Sequence, residues 1–312
     1  MWAGAVFGAM VEISRGRVQA NGIEFAYRAR GDGDRLALCL HGFPDDAGSM
    51  DPLLDRLAGA GFTAVAPFMR GYGPTEPAPD GDYTAGALAG DAIALVDALA
   101  GQFDFDGGGS DPGSPADGAV LVGHDWGAVA GYAAASRAPG RFSRLVAMAV
   151  PPQFPQRALE HPRQLLRSWY MGFFQLPDLP ERALQTEEFA LVDLLWGLWS
   201  PGWDYPAERI ASVKDTLSTP GTVEAALAYY RQLGSAMASQ LFEEAPEGTA
   251  IQVPGLVLAG EDDGCIGAEL FGRSDEAFDA PCRVVKVRGA GHFLHQERPD
   301  TVAEEILAFV EG

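Results

Sequence analysis

The sequence predicts an α/β fold: a mostly parallel sheet covered by helices on both faces and interrupted by one all-helical insertion. Three observations predict it. Short apolar or β-branched runs alternate with segments of helical periodicity as far as Val150, the pattern of a parallel sheet whose crossovers are helices. At Pro151-Pro152 the alternation stops, and helical periodicity with many aromatics fills the chain to about Ala245. The run Ala119-Val120-Leu121-Val122 ends in Gly123-His124-Asp125-Trp126-Gly127 and passes directly into the small-residue segment Ala128 to Ala135. Strand, glycine-flanked turn and helix in that order lift the central side chain of the turn above the sheet.

Each element has its own signal. Val11-Glu12-Ile13, Val18-Gln19-Ala20 and Ile23-Glu24-Phe25-Ala26-Tyr27 read as a short antiparallel meander turning at Asn21-Gly22. Leu36-Ala37-Leu38-Cys39-Leu40 is the continuous apolar run of a buried parallel strand. Leu53, Leu54 and Leu57 mark one face of a helix, and Thr63-Ala64-Val65-Ala66 is the next strand. A helix around Leu88 to Leu99 leads to a Gly/Asp/Ser/Pro segment, Gly107 to Gly118, expected to be a mobile loop. After the junction at Asp125 comes the strand Leu145 to Val150. Strand patterning returns at Gly255-Leu256-Val257-Leu258 and Arg283-Val284-Val285-Lys286-Val287, and an amphipathic helix, Thr301 to Val310, closes the chain. The expected division is a core of residues 1–150 and 246–312 with a helical lid, residues 151–245, inserted into it.

The 312 residues carry a formal net charge of −21, which argues against nucleic acid or an anionic membrane as partner. Cys39, Cys265 and Cys282 are odd in number and widely spaced, so no disulfide framework is implied. The first ten residues are apolar but lack the basic start of a secretory signal and read as a loose tail. No stretch reaches the ~20 apolar residues of a membrane span. A cytoplasmic protein, monomer or homodimer, is the expectation.

Asp125 is the most informative residue. A serine there would attack a carbonyl carbon, and at saturated carbon it would leave an ether that water cannot cleave. An aspartate attacking saturated carbon leaves an alkyl ester on itself, which a positioned water hydrolyses. The residue type therefore points to displacement at sp³ carbon, with an epoxide opened or a halide expelled. His292, in Gly289-Ala290-Gly291-His292-Phe293 after the last strand, stands where parallel sheets build their sites and is the expected base. His295 competes at i+3. A metal pair of the two finds no third ligand at suitable spacing, so neither metal nor cofactor is expected. The acid should follow Leu256-Val257-Leu258, where Glu261, Asp262 and Asp263 offer three carboxylates that spacing does not separate. The backbone N–H groups of Phe43 and Trp126 are placed to form an oxyanion hole. His41 reads as a structural support for the loop that carries Phe43.

With His41-Gly42-Phe43-Pro44, Arg70-Gly71-Tyr72-Gly73, Gly123-His124-Asp125-Trp126-Gly127, Gly260-x-x-Asp263 and Gly291-His292-Phe293 all present, the chain resembles the epoxide hydrolases of the α/β-hydrolase fold. Haloalkane dehalogenases share the aspartate junction, its Trp included. The resemblance places the acid on Asp263. It also implies two lid tyrosines that hydrogen-bond the epoxide oxygen, carried over to Tyr170 in Trp169-Tyr170-Met171-Gly172-Phe173-Phe174-Gln175 and to Tyr230, with Tyr229 as the substitute. Periodicity is consistent with this, since Val223, Ala226, Leu227 and Tyr230 share one helical face. Trp169, Phe173 and Phe174 would then line the pocket of a small apolar epoxide. Phe68 departs from the family, many members of which carry Asp two residues before the equivalent of Arg70. A dehalogenase, an ester hydrolase and a non-catalytic ligand-binding relative are the competing expectations, and lid indoles Trp169, Trp196, Trp199 and Trp203 keep the first of these open.

Overall fold

A hairpin begins the residues described by the computed structural model, which are 13–103, 118–240 and 250–312. Strand β1 (Ser14–Ala20) turns into β2 (Ile23–Arg30) through Asn21 and Gly22, whose φ angles of 47° and 78° suit a two-residue turn. Then follow β3 (Arg35–Leu40), α1 (Asp51–Gly59), β4 (Phe62–Pro67), α2 (Ala85–Phe103), β5 (Ala119–His124), α3 (Trp126–Arg137) and β6 (Phe142–Met148). Between β6 and the next strand the described residues form helices only: α4 (Phe154–Glu160), α5 (Pro162–Arg167), α6 (Trp169–Phe173), α7 (Leu179–Gln185), α8 (Ala190–Trp199), α9 (Ala207–Ser218) and α10 (Thr222–Gln240). Strands β7 (Gly255–Gly260) and β8 (Cys282–Val287) complete the sheet, and α11 (Leu294–Glu297) and α12 (Pro299–Glu311) follow. This is the α/β-hydrolase fold.

The sheet runs β1-β2-β4-β3-β5-β6-β7-β8, antiparallel at β1/β2 and β2/β4 and parallel elsewhere. Chain order reverses at β3, which pairs with β4 on one side and β5 on the other. Such a reversal opens a crevice beyond the carboxyl ends of the two strands. Alternate residues face opposite sides. Ala37, Cys39, Val120 and Val122 join one buried cluster with Leu53, Leu54 and Leu57 of α1 and Val302, Ile306 and Val310 of α12. Leu38, Leu40 and Leu121 join the other with α2, α3 and the helical insertion.

Three expectations need correction. Residues Val11 and Glu12 lie outside the described residues, and β1 is a single strand through Ser14-Arg15-Gly16-Arg17 where the sequence suggested a break. Ladder pairing with Ala29 to Ala26 overrides the weak propensity of that polar stretch. Strand β6 stops at Met148, because Ala149 adopts φ 65° and turns the chain away. Helix α2, 19 residues, is long and apolar enough to cross a membrane by length and composition alone. It packs instead on the sheet and α3, and its Asp91 is buried. The proposed tail (residues 1–10), most of the proposed loop (residues 107–117) and the lid's last residues (241–245) lie outside the described residues.

Asp91 accepts from Arg70 Nε at 2.5 Å, Arg70 Nη2 at 2.6 Å and Asn21 Nδ2 at 2.8 Å, and both charged side chains are buried. Removing one member of a buried pair strands the other charge, at a cost of about 3–5 kcal/mol. Asp91→Ala is therefore expected to lose about that much stability in urea unfolding. Loss of less than about 1 kcal/mol would mean that the pair behaves as a solvated one.

Candidate active site

The strained corner after β5 is built by what its neighbours lack. Asp125 adopts φ 52° and ψ −114°, outside the regions that side chains ordinarily allow. A Cβ on Gly123 would stand 2.2 Å from Gly127 O, one on Gly127 2.2 Å from Leu40 O, and one on Gly42 2.3 Å from Asp125 Cβ. Close backbone approach demands Gly123 and Gly127, and the Asp125 side chain itself demands Gly42. The corner is then fixed by Asp125 N donating to Met148 O at 3.1 Å and by Ala128 N donating to Asp125 O at 2.9 Å.

Across the crevice from β3, Phe43 N donates to Asp125 Oδ1 at 2.9 Å. Trp126 opens α3, where first-turn N–H groups have no acceptor inside the helix. His41 accepts from Met69 N at 3.0 Å through Nε2 and so props the Phe43 loop. Burial lowers its pKa to about 4, so it stays neutral.

His292 and Asp263 arrive from the ends of β8 and β7. His292 Nδ1 donates to Asp263 Oδ2 at 3.0 Å, and its Nε2 lies 3.7 Å from Asp125 Oδ2 with no hydrogen-bond partner. Asp263 Oδ1 accepts from Cys265 N at 2.7 Å and Ile266 N at 2.9 Å. Glu261 and Asp262 are exposed and Asp263 is buried, so the three carboxylates are separated by burial. Burial alone would favour a protonated Asp125, yet His292, His124 and the Phe43 N–H outweigh it and hold the carboxyl below its usual range. Burial likewise opposes the imidazolium of His292, but the Asp263 and Asp125 carboxylates favour it and push its pKa above the ordinary value.

Aromatic rings from the insertion close over this group. Tyr230 packs edge-on to Phe43 at 5.4 Å, Trp126 at 5.0 Å, Phe174 at 5.1 Å and Tyr170 at 5.8 Å. Its hydroxyl is buried without a hydrogen-bond partner. Tyr170 OH lies 3.3 Å from Cys265 Sγ. Burial lifts both phenols well above their usual pKa. Tyr229 OH is spent on Arg70 O at 2.8 Å, so it is no substitute for Tyr230.

The structure thus brings Asp125, His292, Asp263, Phe43, Trp126, Tyr170, Tyr230 and Phe174 together. Trp169 is a correction: it is 43% exposed and packs on the outer side of Tyr170 and Phe173, which is itself half-buried. Trp199 takes the place next to the site, 4.8 Å from Tyr170 and 5.1 Å from His292. His295 is not the base, since its ring packs against His124 at 4.4 Å, tilted by 46°, and makes no hydrogen bond to Asp263. His292 and His295 fall in separate groups of candidate metal donors, each assembled from distant segments where spacing carries no signal. Asp45, His124 and His295 form one buried group whose donor atoms lie within 4.8 Å of one another, and Asp263, Cys265 and His292 form another.

Sequence reasoning missed how far the insertion supports the catalytic loops. Trp199 O accepts from His292 N at 3.1 Å and from Gly264 N at 3.0 Å. Ser200 Oγ accepts from Phe293 N and donates to Glu297. The only signal was the helix stop Trp199-Ser200-Pro201-Gly202, which marks a turn and not its contacts. His124 Nε2, donating to His292 O at 2.9 Å, was missed for the same reason.

Comparison with known proteins finds relatives over most of the chain. Residues 37–305 match the alpha/beta hydrolase family. The AB hydrolase superfamily protein YfhM of Bacillus subtilis is 28% identical over 302 residues, covering 95% of this chain and 97% of that protein. Epoxide hydrolase A of Mycobacterium tuberculosis is 30% identical over 332 residues, covering 95% and 96%. The crystal structure of Epoxide Hydrolase A from Mycobacterium thermoresistibile superposes with a TM-score of 0.78 at 26% identity, covering 96% of this chain and 99% of that one.

Gly42→Ala forces a methyl group onto the Asp125 side chain. The variant is expected to fold with a loss of about 1–3 kcal/mol. Displacing Asp125 by about 1 Å should cut turnover roughly a hundredfold. Thermal unfolding and steady-state kinetics check both, and wild-type turnover in the variant would mean that this contact is slack.

Proposed function

The chain belongs to the alpha/beta hydrolase family and, within it, to the epoxide hydrolases, and from that membership we propose how it turns an apolar epoxide into a vicinal diol. Asp125 attacks one ring carbon and forms an alkyl ester. Tyr170 and Tyr230 hydrogen-bond the ring oxygen and supply the proton that it takes up as the C–O bond breaks. Water, deprotonated by His292, then adds to the ester carbon, while the N–H groups of Phe43 and Trp126 hold the tetrahedral oxyanion. Asp263 orients the imidazole and stabilises the imidazolium. Collapse releases the diol and regenerates the Asp125 carboxylate, and the proton taken by His292 returns to the tyrosine. The sum is epoxide plus water to diol. The supporting observation is a carboxylate at the nucleophile position, 3.7 Å from a base whose other nitrogen is held by Asp263.

Charge coupling gives the two half-reactions an order. With Asp125 ionised, His292 is held protonated by its acidic neighbours and is no base. Alkylation turns Asp125 into a neutral ester and removes one of the charges that raise the imidazole pKa. The base is thereby released only once there is an ester to hydrolyse.

The covalent step is tested with His292→Gln. Exposed to an aryl or alkyl epoxide, this variant should retain the whole substrate mass on Asp125 in intact mass spectrometry. With an alkyl halide as the favoured substrate, only the alkyl fragment would be added. An unmodified chain after exposure to reactive epoxides rejects the ester.

The pH dependence follows from the same shifts. Asp125 has a depressed pKa, so the attacking carboxylate persists as pH falls below the usual imidazole value of about 6.5. Asp263 still raises the His292 pKa in the ester, so the neutral imidazole needed for hydrolysis is already being lost as pH falls toward that value. Acid-quenched wild-type enzyme should therefore accumulate ester as the pH is lowered while kcat falls. A decline in kcat with no ester accumulation would place the acid limb in the first step.

A further inference from the structure

Cys265 is a polar side chain beside the catalytic histidine that the proposed cycle leaves unused. It follows Asp263 by two residues, is wholly buried, and its Sγ lies 3.3 Å from Tyr170 OH. That sulfur, a carboxylate oxygen of Asp263 and a ring nitrogen of His292 lie within 4.8 Å of one another. The ring nitrogen on the Asp263 side is Nδ1, 3.0 Å from Oδ2, so an ion there takes the place of that hydrogen bond's proton. A thiol, an imidazole and a carboxylate are the donor types that tetrahedral Zn²⁺ and its heavier relative Cd²⁺ take. Hard Mg²⁺ and Ca²⁺ take oxygen donors in larger numbers. Donors about 2.0–2.3 Å from an ion stand roughly 3.3–3.8 Å from one another, so rotation of the thiol and imidazole closes the remaining gap.

Charge favours the ion. Asp125 and Asp263 place two carboxylates around one imidazole. Burial pushes the thiol pKa up, so the resting sulfur is protonated. Binding exchanges two protons for the cation: the Cys265 S–H proton and the proton on the His292 nitrogen that turns to the ion both leave to solvent, with no change in oxidation state. The ion also takes a lone pair of His292 and the sulfur to which Tyr170 is bonded.

We propose that Cys265, His292 and Asp263 form an inhibitory site for a thiophilic divalent cation, Zn²⁺ or Cd²⁺, which stops turnover by occupying the catalytic imidazole. The inference uses the proposed hydrolysis only as one of two readouts. Cys39 lies in the core behind β3 and Cys282 on β8, so they serve as controls.

The test is titration of the full chain with Cd²⁺, followed by the ultraviolet thiolate-to-cadmium charge-transfer band without substrate and by epoxide turnover with it. Wild type and Cys282→Ser should gain the band and lose activity over the same concentrations, with recovery on chelation and no response to Mg²⁺. Cys265→Ser, scored against its own untreated rate, should lose the band and need about tenfold or more Cd²⁺ for half-inhibition. Cys265→Ala is the second variant, and its band should also be missing. Equal sensitivity of Cys265→Ser and wild type, relief by Cys282→Ser instead, or full wild-type activity at band saturation overturns the proposal. Since the band needs no turnover, a chain inert toward epoxides would fail the functional reading and still report on this site.

Discussion

Asp125 holds a backbone conformation that costs a non-glycine residue on the order of 1–3 kcal/mol, and much of the surrounding structure exists to keep it there. Strand β5 must arrive and α3 must leave within one residue, so Gly123 and Gly127 have to let backbones nearly touch. The loop after β3 must then come close enough for Phe43 N to reach Oδ1, which Gly42 alone permits. Strain of this kind survives only where neighbours over-determine it, and here β3, β5, β6 and α3 all contribute a contact. The result is a carboxylate that is raised above the sheet and kept ionised inside an apolar enclosure.

The helical insertion belongs to this constraint. Its α8 ends in Trp199 and Ser200, which hydrogen-bond the loops carrying Asp263 and His292. Farther along, Arg209 on α9 pairs with both Asp45 and Asp46, and Ser212 and Thr216 add hydrogen bonds to Asp46. Trp196 donates to Pro44 O at 2.9 Å. One guanidinium serves two buried carboxylates, and it does not serve them equally. Burial wins at Asp45, whose pKa rises to about 6, whereas Arg209 and its companions outweigh burial at Asp46 and lower it. Loss of the insertion would therefore expose substrate, release the acid and base loops, and uncover a net negative pair beneath Phe43.

The fold was legible in the sequence because it rests on period and punctuation. Buried parallel strands read as apolar runs, and the glycine-flanked Asp125 sits where the chain must turn sharply. Asp125, His292 and Phe43 were found because each lies at the end of a recognisable strand. Asp263 could not be told from Glu261 and Asp262 by spacing, since burial is a property of the folded state. Trp169 and Trp199 illustrate the same limit. Both are aromatic residues in helical segments, and only packing puts one at the surface and the other against His292. The donors around Cys265 and His295 come from segments far apart in the chain, where spacing carries no signal.

The unpartnered Tyr230 hydroxyl bears on the choice between an epoxide and an alkyl halide. A buried hydroxyl without a partner costs about 1–3 kcal/mol, a deficit that a ligand oxygen relieves and a hydrocarbon chain does not. Sites built to donate to a substrate oxygen discriminate strongly against analogues that lack it. A halide-binding site needs indole or amide donors instead. Of the lid indoles, Trp196 has given its N–H to Pro44 O and Trp169 stands at the surface, while Trp199 remains beside the site with Trp126 of the junction. Position 43 is a phenylalanine with no side-chain donor. The Tyr230 hydroxyl near the aspartate is a phenol of raised pKa, a group that holds its proton in the resting site and, in the proposed cycle, yields it to a strongly basic alkoxide. That is the partner required by a leaving oxygen that remains attached to the product.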